Sequence, residues 1–220
     1  MLRRSFLSRL TSAAAVFGLA PQAAPQAPAA PAAPAAPGRA PFEPARYAKD
    51  DWYDAIPGKH RVVFDSFMAD RFPEAVQFAG NIYRASMNDY GVTEKEMAVI
   101  LVVRHQTMPF ALNDAMWAKY GRALADRAKW VDPATKQIPS TNIYGRQIGN
   151  LVKNGMHFAI CNLTTRAYTT ILAQQTGKST DDIYAELTAN TLGNAHFVPA
   201  GVVGVLRAQE HGYRLVSVGG

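Results

Sequence analysis

Cys161 is the single cysteine of the chain, and its neighbours place it where a thiol can do chemistry. Met156-His157-Phe158-Ala159-Ile160 is a nearly continuous apolar run, the kind a central parallel strand carries when both its faces are covered. Asn162-Leu163-Thr164-Thr165 supplies cap-type residues ahead of a helical stretch from Arg166 to Gln175, which sets the sulfur near unsatisfied backbone N–H groups. Such a position favours thiolate, because a helix N-terminus stabilises negative charge and lowers a cysteine pKa from its free value of about 8.5. Free cysteine is also one of the most buried residue types, so core filling is the alternative role.

The five histidines divide by position. His105 follows the apolar run Met97 to Val103 and could be a general base or a polar contact, since imidazole titrates near neutrality. A histidine simply hydrogen-bonded at a strand end is the plainer option. If the strands are parallel, three of them end on one edge of the sheet, where α/β ligand sites lie. His105, Cys161 and Pro199-Ala200-Gly201 would then face one crevice, which Asn113, Asp114 and Trp117 could line from a helix start after Pro109. His196 could reach the same crevice, His157 reads as a satisfied core residue, and His60 and His211 sit at element ends without an identifiable partner. None of these has the convergent spacing of a three- or four-ligand site, so neither a metal nor a cofactor is expected.

The elements that must position these groups alternate along the chain. A strand is expected over 60–67, then a helix over 72–90 with apolar positions at Val76, Ala79, Ile82 and Tyr83 and a stop at Gly91. Further strands fall at 97–103, at the Cys161 run, around 196–198 and at 213–218. Strands separated by helices predict an α/β protein, a three-layer α/β/α sandwich on a mostly parallel five-stranded sheet. The segment 121–144 breaks the rhythm with Trp130, Asp132-Pro133 and Ile138-Pro139, leaving at most a helical turn or two over 123–129. A connection this long is expected to be a lid, a binding loop or an oligomer contact.

The amino end reads as an address. Leu2-Arg3-Arg4-Ser5-Phe6-Leu7-Ser8 resembles a twin-arginine export signal, departing from its pattern at Leu2 and Ser8. The stretch from Leu10 to Ala20 is too short and too mildly apolar to span a bilayer. An ordinary secretory signal shares this layout, and either route leads to a periplasmic or otherwise exported protein; an uncut signal would leave a membrane tether. Residues 1–29 are assigned to the signal, 30–57 to an Ala/Pro-rich linker, and 58–220 to the α/β domain. Removing the signal takes away Arg3, Arg4 and Arg9 and no acid, which halves the formal charge of +6. With no basic block and no zinc-finger spacing, a nucleic-acid partner is not expected. One cysteine excludes an internal disulfide, although an oxidising compartment would permit an intermolecular one.

Taken in order, strand 60–67, the helix with Asn81 and Tyr83 leading to Asp89-Tyr90-Gly91, strand 97–103 with His105, and Gly155-Met156-His157-Phe158-Ala159-Ile160-Cys161 resemble the DsrE/DsrF-like sulfur-relay family. The tail is similar too, with Phe197-Val198-Pro199-Ala200-Gly201-Val202-Val203, then Leu206, Gln209 and Gly212-Tyr213 before a last strand. The resemblance covers residues 58–219 apart from 121–144. It implies an α/β/α domain that forms trimers or hexamers, with a cysteine after a central strand carrying sulfur as a persulfide; Cys161 falls at that position. A small sulfur species or a sulfur-donor protein would be the partner. Relays of this family are mostly cytoplasmic, in contrast to the export signal. A non-catalytic exported binding or assembly module with a structural Cys161 is the alternative. A disulfide oxidoreductase lacks its Cys-x-x-Cys.

Overall fold

The computed structural model describes residues 43–218, and the fold described is that of the unit from Pro44 onward. The expected export signal over 1–29 lies outside the described residues, as does the following Ala/Pro-rich stretch through residue 42. In chain order the elements are α1 (Trp52–Ala55), β1 (His60–Ser66), α2 (Phe72–Tyr90), β2 (Met97–Val103), α3 (Asp114–Ala128), α4 (Gly145–Lys153), β3 (His157–Cys161), α5 (Asn162–Thr176), α6 (Thr180–Ala189), β4 (Ala195–Val198), α7 (Gly201–Glu210) and β5 (Arg214–Val218). The five strands form one all-parallel sheet in the order β4-β3-β2-β1-β5, with helices on both sides. The protein is a three-layer α/β/α sandwich.

Composition explains the layering. The central strand β2, Met-Ala-Val-Ile-Leu-Val-Val, is buried at every position because both its faces are covered. Val99, Leu101 and Val103 face a core built with α2 through α6, while Ala98, Ile100 and Val102 face a second core under α7. Successive right-handed crossovers carry the chain from β1 to β4 with their helices on one face. The return from β4 to the far edge at β5 reverses the direction, so α7 lies on the other face. Helix α2 ends at Gly91, whose left-handed φ of 64° lets its amide reach the Ser86 carbonyl.

Two boundaries differ from the sequence reading. The linker does not extend to residue 57: Ala48–Asp50 forms a 3-10 turn, and α1 buries Tyr53 completely on the α7 face. Tyr53 Oη donates to the Gly204 carbonyl at 3.0 Å, Tyr213 Oη donates to the Tyr53 carbonyl at 2.7 Å, and Arg207 Nε pairs with Asp50 at 2.7 Å. One ten-residue helix cannot cover a five-stranded face, and residues 48–56 supply the missing cover. The second correction concerns 121–144, whose first part is the C-terminal half of α3, closed by Lys129 at φ 53°. Gly121 sits mid-helix because a Cβ there would meet the Pro139 carbonyl oxygen at 3.0 Å. The remaining loop is fastened to its own chain. Trp130 and Tyr144 pack on Phe110, and the Asn142 side-chain amide donates to the carbonyls of Phe110 and Leu112, both at 2.8 Å.

Candidate functional site

Parallel pairing brings the carboxyl ends of β1, β2, β3 and β4 to one edge. Val103 pairs with Ile160 and Cys161 with Val198, so Arg104 leaves β2 abreast of Cys161. Strand alternation places Asp65 and Cys161 on the α7 face together with Val63, Ala159 and Val198. The apolar run of β3 delivers the sulfur to the sheet edge, and the polar residues that follow start the helix.

Cys161 is both the last residue of β3 and the N-cap of α5. Its Sγ accepts from the Thr164 backbone N–H at 3.4 Å and from Thr164 Oγ1 at 3.1 Å. Thr164 Oγ1 in turn accepts from the His105 backbone N–H at 3.2 Å, which ties the exit of β2 to the cysteine turn. The residue is only 5% exposed. His105 is thus brought to the site, but by its backbone. Its exposed imidazole makes no hydrogen bond among the described residues, and its φ of 53° is a left-handed conformation uncommon for a side-chain-bearing residue. Thr107 closes the turn, its Oγ1 accepting from Arg104 N at 3.1 Å and donating to the Ser66 carbonyl at 2.7 Å.

Arg104 is the strongest charge of this edge. Its Nε and Nη2 grip both Asp65 oxygens, at 2.8 and 2.9 Å, and its guanidinium lies 4.5 Å over the Phe67 ring. The Asp65 hydrogen bonds raise the Arg104 pKa further, so the cation is permanent. Arg104 also packs so closely on the start of α7 that a Cβ on Gly201 would lie 2.5 Å from Arg104 Cβ. Ala200, the N-cap of α7, offers no side-chain cap, and the Leu163 amide donates to the Pro199 carbonyl at 3.3 Å. That hydrogen bond and the Arg104–Gly201 contact join the starts of α5 and α7 near Cys161.

Asp65 and Arg104 escaped the sequence reading as site residues, and Thr164 was read only as a cap-type residue, not as a donor to the sulfur. A carboxylate inside the apolar run of β1 was the available signal for Asp65, and a cation at the exit of β2 the one for Arg104. Other expected members of the crevice lie elsewhere. Trp117 is buried in the aromatic core with its indole N–H on the Pro109 carbonyl; Asn113 caps α3 by accepting from Met116 N; Asp114 accepts from Asn142 N. Each serves packing or capping.

His196 does not reach the cysteine edge. It pairs with Ala159, two residues before Cys161, and its ring stacks 3.9 Å from Trp52. Its Nε2 lies 3.0 Å from Nδ1 of His157, one of the two donating as the tautomers allow. Burial lowers the pKa of both, and the neighbouring His157 helps bring that of His196 to about 4. His60 is exposed, whereas His211 is buried with Nδ1 at 2.9 Å from Asp54. Among the described residues no three His, Cys, Asp or Glu side chains converge as a metal site would need.

No family model matches the chain. No curated protein matches it. Among solved structures it is similar to a protein of unknown function from Methanobacterium thermoautotrophicum, with 16% sequence identity and a TM-score of 0.41 over 72% of this chain and 99% of that one.

Proposed function

We propose that the protein is an exported sulfur-relay protein of the DsrE-like kind, with Cys161 carrying sulfane sulfur as a persulfide. The observation that supports this most is the sulfur's setting: a strand-end thiol capping α5, with two Thr164 donors on Sγ and the fixed cation of Arg104 alongside. N–H and O–H donors and a neighbouring positive charge all favour an anionic sulfur over a neutral thiol. His105 serves through its backbone amide, which orients Thr164.

The chemistry needs no outside oxidant. The Cys161 thiolate attacks the sulfane sulfur of a thiosulfate-type donor; an Sγ–S bond forms, the donor's S–S bond breaks, and sulfite leaves with the bonding pair. An acceptor thiolate then attacks the outer sulfur, taking it as its own persulfide and returning Cys161 as thiolate. Trimeric or hexameric assembly and a small sulfur species or donor protein as partner belong to the same proposal.

The near-complete burial of Cys161 favours a second reading, a binding or assembly module in which the thiol only packs and caps. Intact-mass analysis after incubation with thiosulfate, with iodoacetamide labelling of the native protein in parallel, separates the two. A carrier gains one sulfur atom, loses that gain in Cys161→Ser, and alkylates without denaturant. If no sulfur is gained and the thiol labels only after unfolding, the structural role stands and the relay falls.

A further inference from the structure

The opposite edge of the sheet carries a feature unrelated to Cys161. Strand β5 begins two residues later than β1, its Arg214 pairing with Val62, so His60 and Arg61 have no β5 neighbour. Helix α2 covers β1 and β2, yet Val216 of β5 stays only partly buried. The result is a groove of about 600 Å³ between the amino ends of β1 and β5 and the C-terminal half of α2, within the range of small-molecule sites. Val62, Ile82 and Val216 give it an apolar floor, and Lys59, His60 and Arg214 rim it.

The rim charges are uncommitted. Neither Lys59 nor Arg214 forms an ion pair among the described residues, whereas the neighbouring Arg61 is spent on Asp54 at 3.2 Å and on the carbonyls of Tyr53 and His211. No acid lines the groove. Glu96, whose carbonyl accepts from Lys59 N at 2.9 Å, turns its Oε2 to Thr93, accepting from both N and Oγ1 at 3.0 Å. The carbonyl of Ser86, a residue lining the groove, is also taken, since the Gly91 and Val92 amides both donate to it.

We propose that this amino-edge groove binds a small organic anion with an apolar body, its acid group on Lys59 and Arg214 and its hydrocarbon on Val62, Ile82 and Val216. The cations select for charge and the floor for an aromatic or aliphatic scaffold, so a bare inorganic anion or a neutral hydrocarbon satisfies only half of the site. This is independent of any sulfur chemistry at Cys161.

The test uses the full chain and two dyes of similar shape, anionic 1-anilinonaphthalene-8-sulfonate and neutral N-phenyl-1-naphthylamine, followed by fluorescence titration. The sulfonate should bind saturably at one site per chain, and more weakly as salt is raised. Arg214→Ala and Lys59→Ala should each weaken it by about two- to fivefold, the range exposed ion pairs give, and the double variant should weaken it further. Val216→Asp should remove binding, with circular dichroism reporting whether each variant stays folded. Equal binding of the neutral dye, indifference to the Lys59 and Arg214 changes, or no saturable sulfonate binding would each overturn the proposal. So would light scattering and cross-linking that show a second copy covering this edge.

Discussion

The two faces of the sheet are built on different principles. The face under α2 to α6 is deep and apolar, with Phe72, Phe110, Trp117, Trp130 and Tyr144 in one aromatic cluster. The face under α7 and α1 is thin, and it holds the buried ionisable groups Asp50, Asp65 and His211 as well as the His157–His196 pair. Buried charge costs several kcal/mol unless it is paired and hydrogen-bonded, and the buried carboxylates here are paired, Asp50 with Arg207 and Asp65 with Arg104, while Nδ1 of the His211 ring lies 2.9 Å from Asp54. The thick face supplies stability from area and ring packing, which frees the thin face to keep polar groups in fixed places, the Asp65–Arg104 pair at the Cys161 edge among them.

The largest expected effect tests the thick face. Trp117 is almost wholly buried between Phe110 and Trp130, and its indole N–H is satisfied by the Pro109 carbonyl. Trp117→Ala should cost about 3–5 kcal/mol in a urea titration, as large-to-small aromatic changes in cores do. Below its unfolding transition the variant should keep the wild-type alkylation rate at Cys161. A changed rate in the still-folded variant would show that the two faces are coupled.

A smaller effect, on the opposite property, is expected at Gly201. The added methyl of Gly201→Ala meets Cβ and Cδ of Arg104 at 2.5 and 2.8 Å. Cβ is fixed to the backbone, so the start of α7 or the end of β2 must move. Overpacking of this kind costs about 1–3 kcal/mol. The shift also displaces Arg104 from Asp65, so the Cys161 alkylation rate should change although no atom of the cysteine turn is altered. An unchanged rate with the expected loss of stability would detach Arg104 from the sulfur's chemistry.

What could be seen in the sequence follows the same division. Helix α2 was legible to the residue because its apolar spacing ends at a glycine that can turn left-handed, and the strands because apolar runs between turn signals have few other fates. The junction of strand and helix at Cys161 was legible from the apolar run and the cap-type residues that meet there, but the helix begins at Asn162 rather than at Arg166, so the expected cap residues form its first turn and Cys161 itself is the cap. The Asp65–Arg104 pair was not, since its members stand 39 positions apart and meet only through strand register. Nor was α1: four residues after an Ala/Pro-rich stretch carry no periodicity, and only the part of the sheet face left uncovered by α7 explains the burial of Tyr53. Gly121 reads as a break in α3 until the Pro139 carbonyl beside it is known.

The subtlest difference between the faces should appear as pH dependence. In the unfolded chain an imidazole protonates near 6.5, whereas burial and His157 hold the folded His196 near 4. Between those values the unfolded state binds more protons, so the pair's contribution is intact above about pH 6.5 and is lost as pH falls toward 4. His157 shifts in the same direction. The carboxylates whose pKa values are lowered, Asp54, Asp132, Glu96 and Glu186, lose their contribution as pH falls from the ordinary carboxylate range downward, so they overlap only the acid end of this window. Wild-type urea midpoints should therefore decline from pH 6.5 to pH 4, and His196→Phe, which keeps a ring to stack on Trp52, should flatten that decline while leaving the midpoint at neutral pH nearly unchanged. Because His196 is half-buried, solvent screening keeps the effect below that of either core change. The same slope in wild type and variant would mean that protons enter the fold elsewhere, and that the thin face is no more sensitive to acid than the thick one.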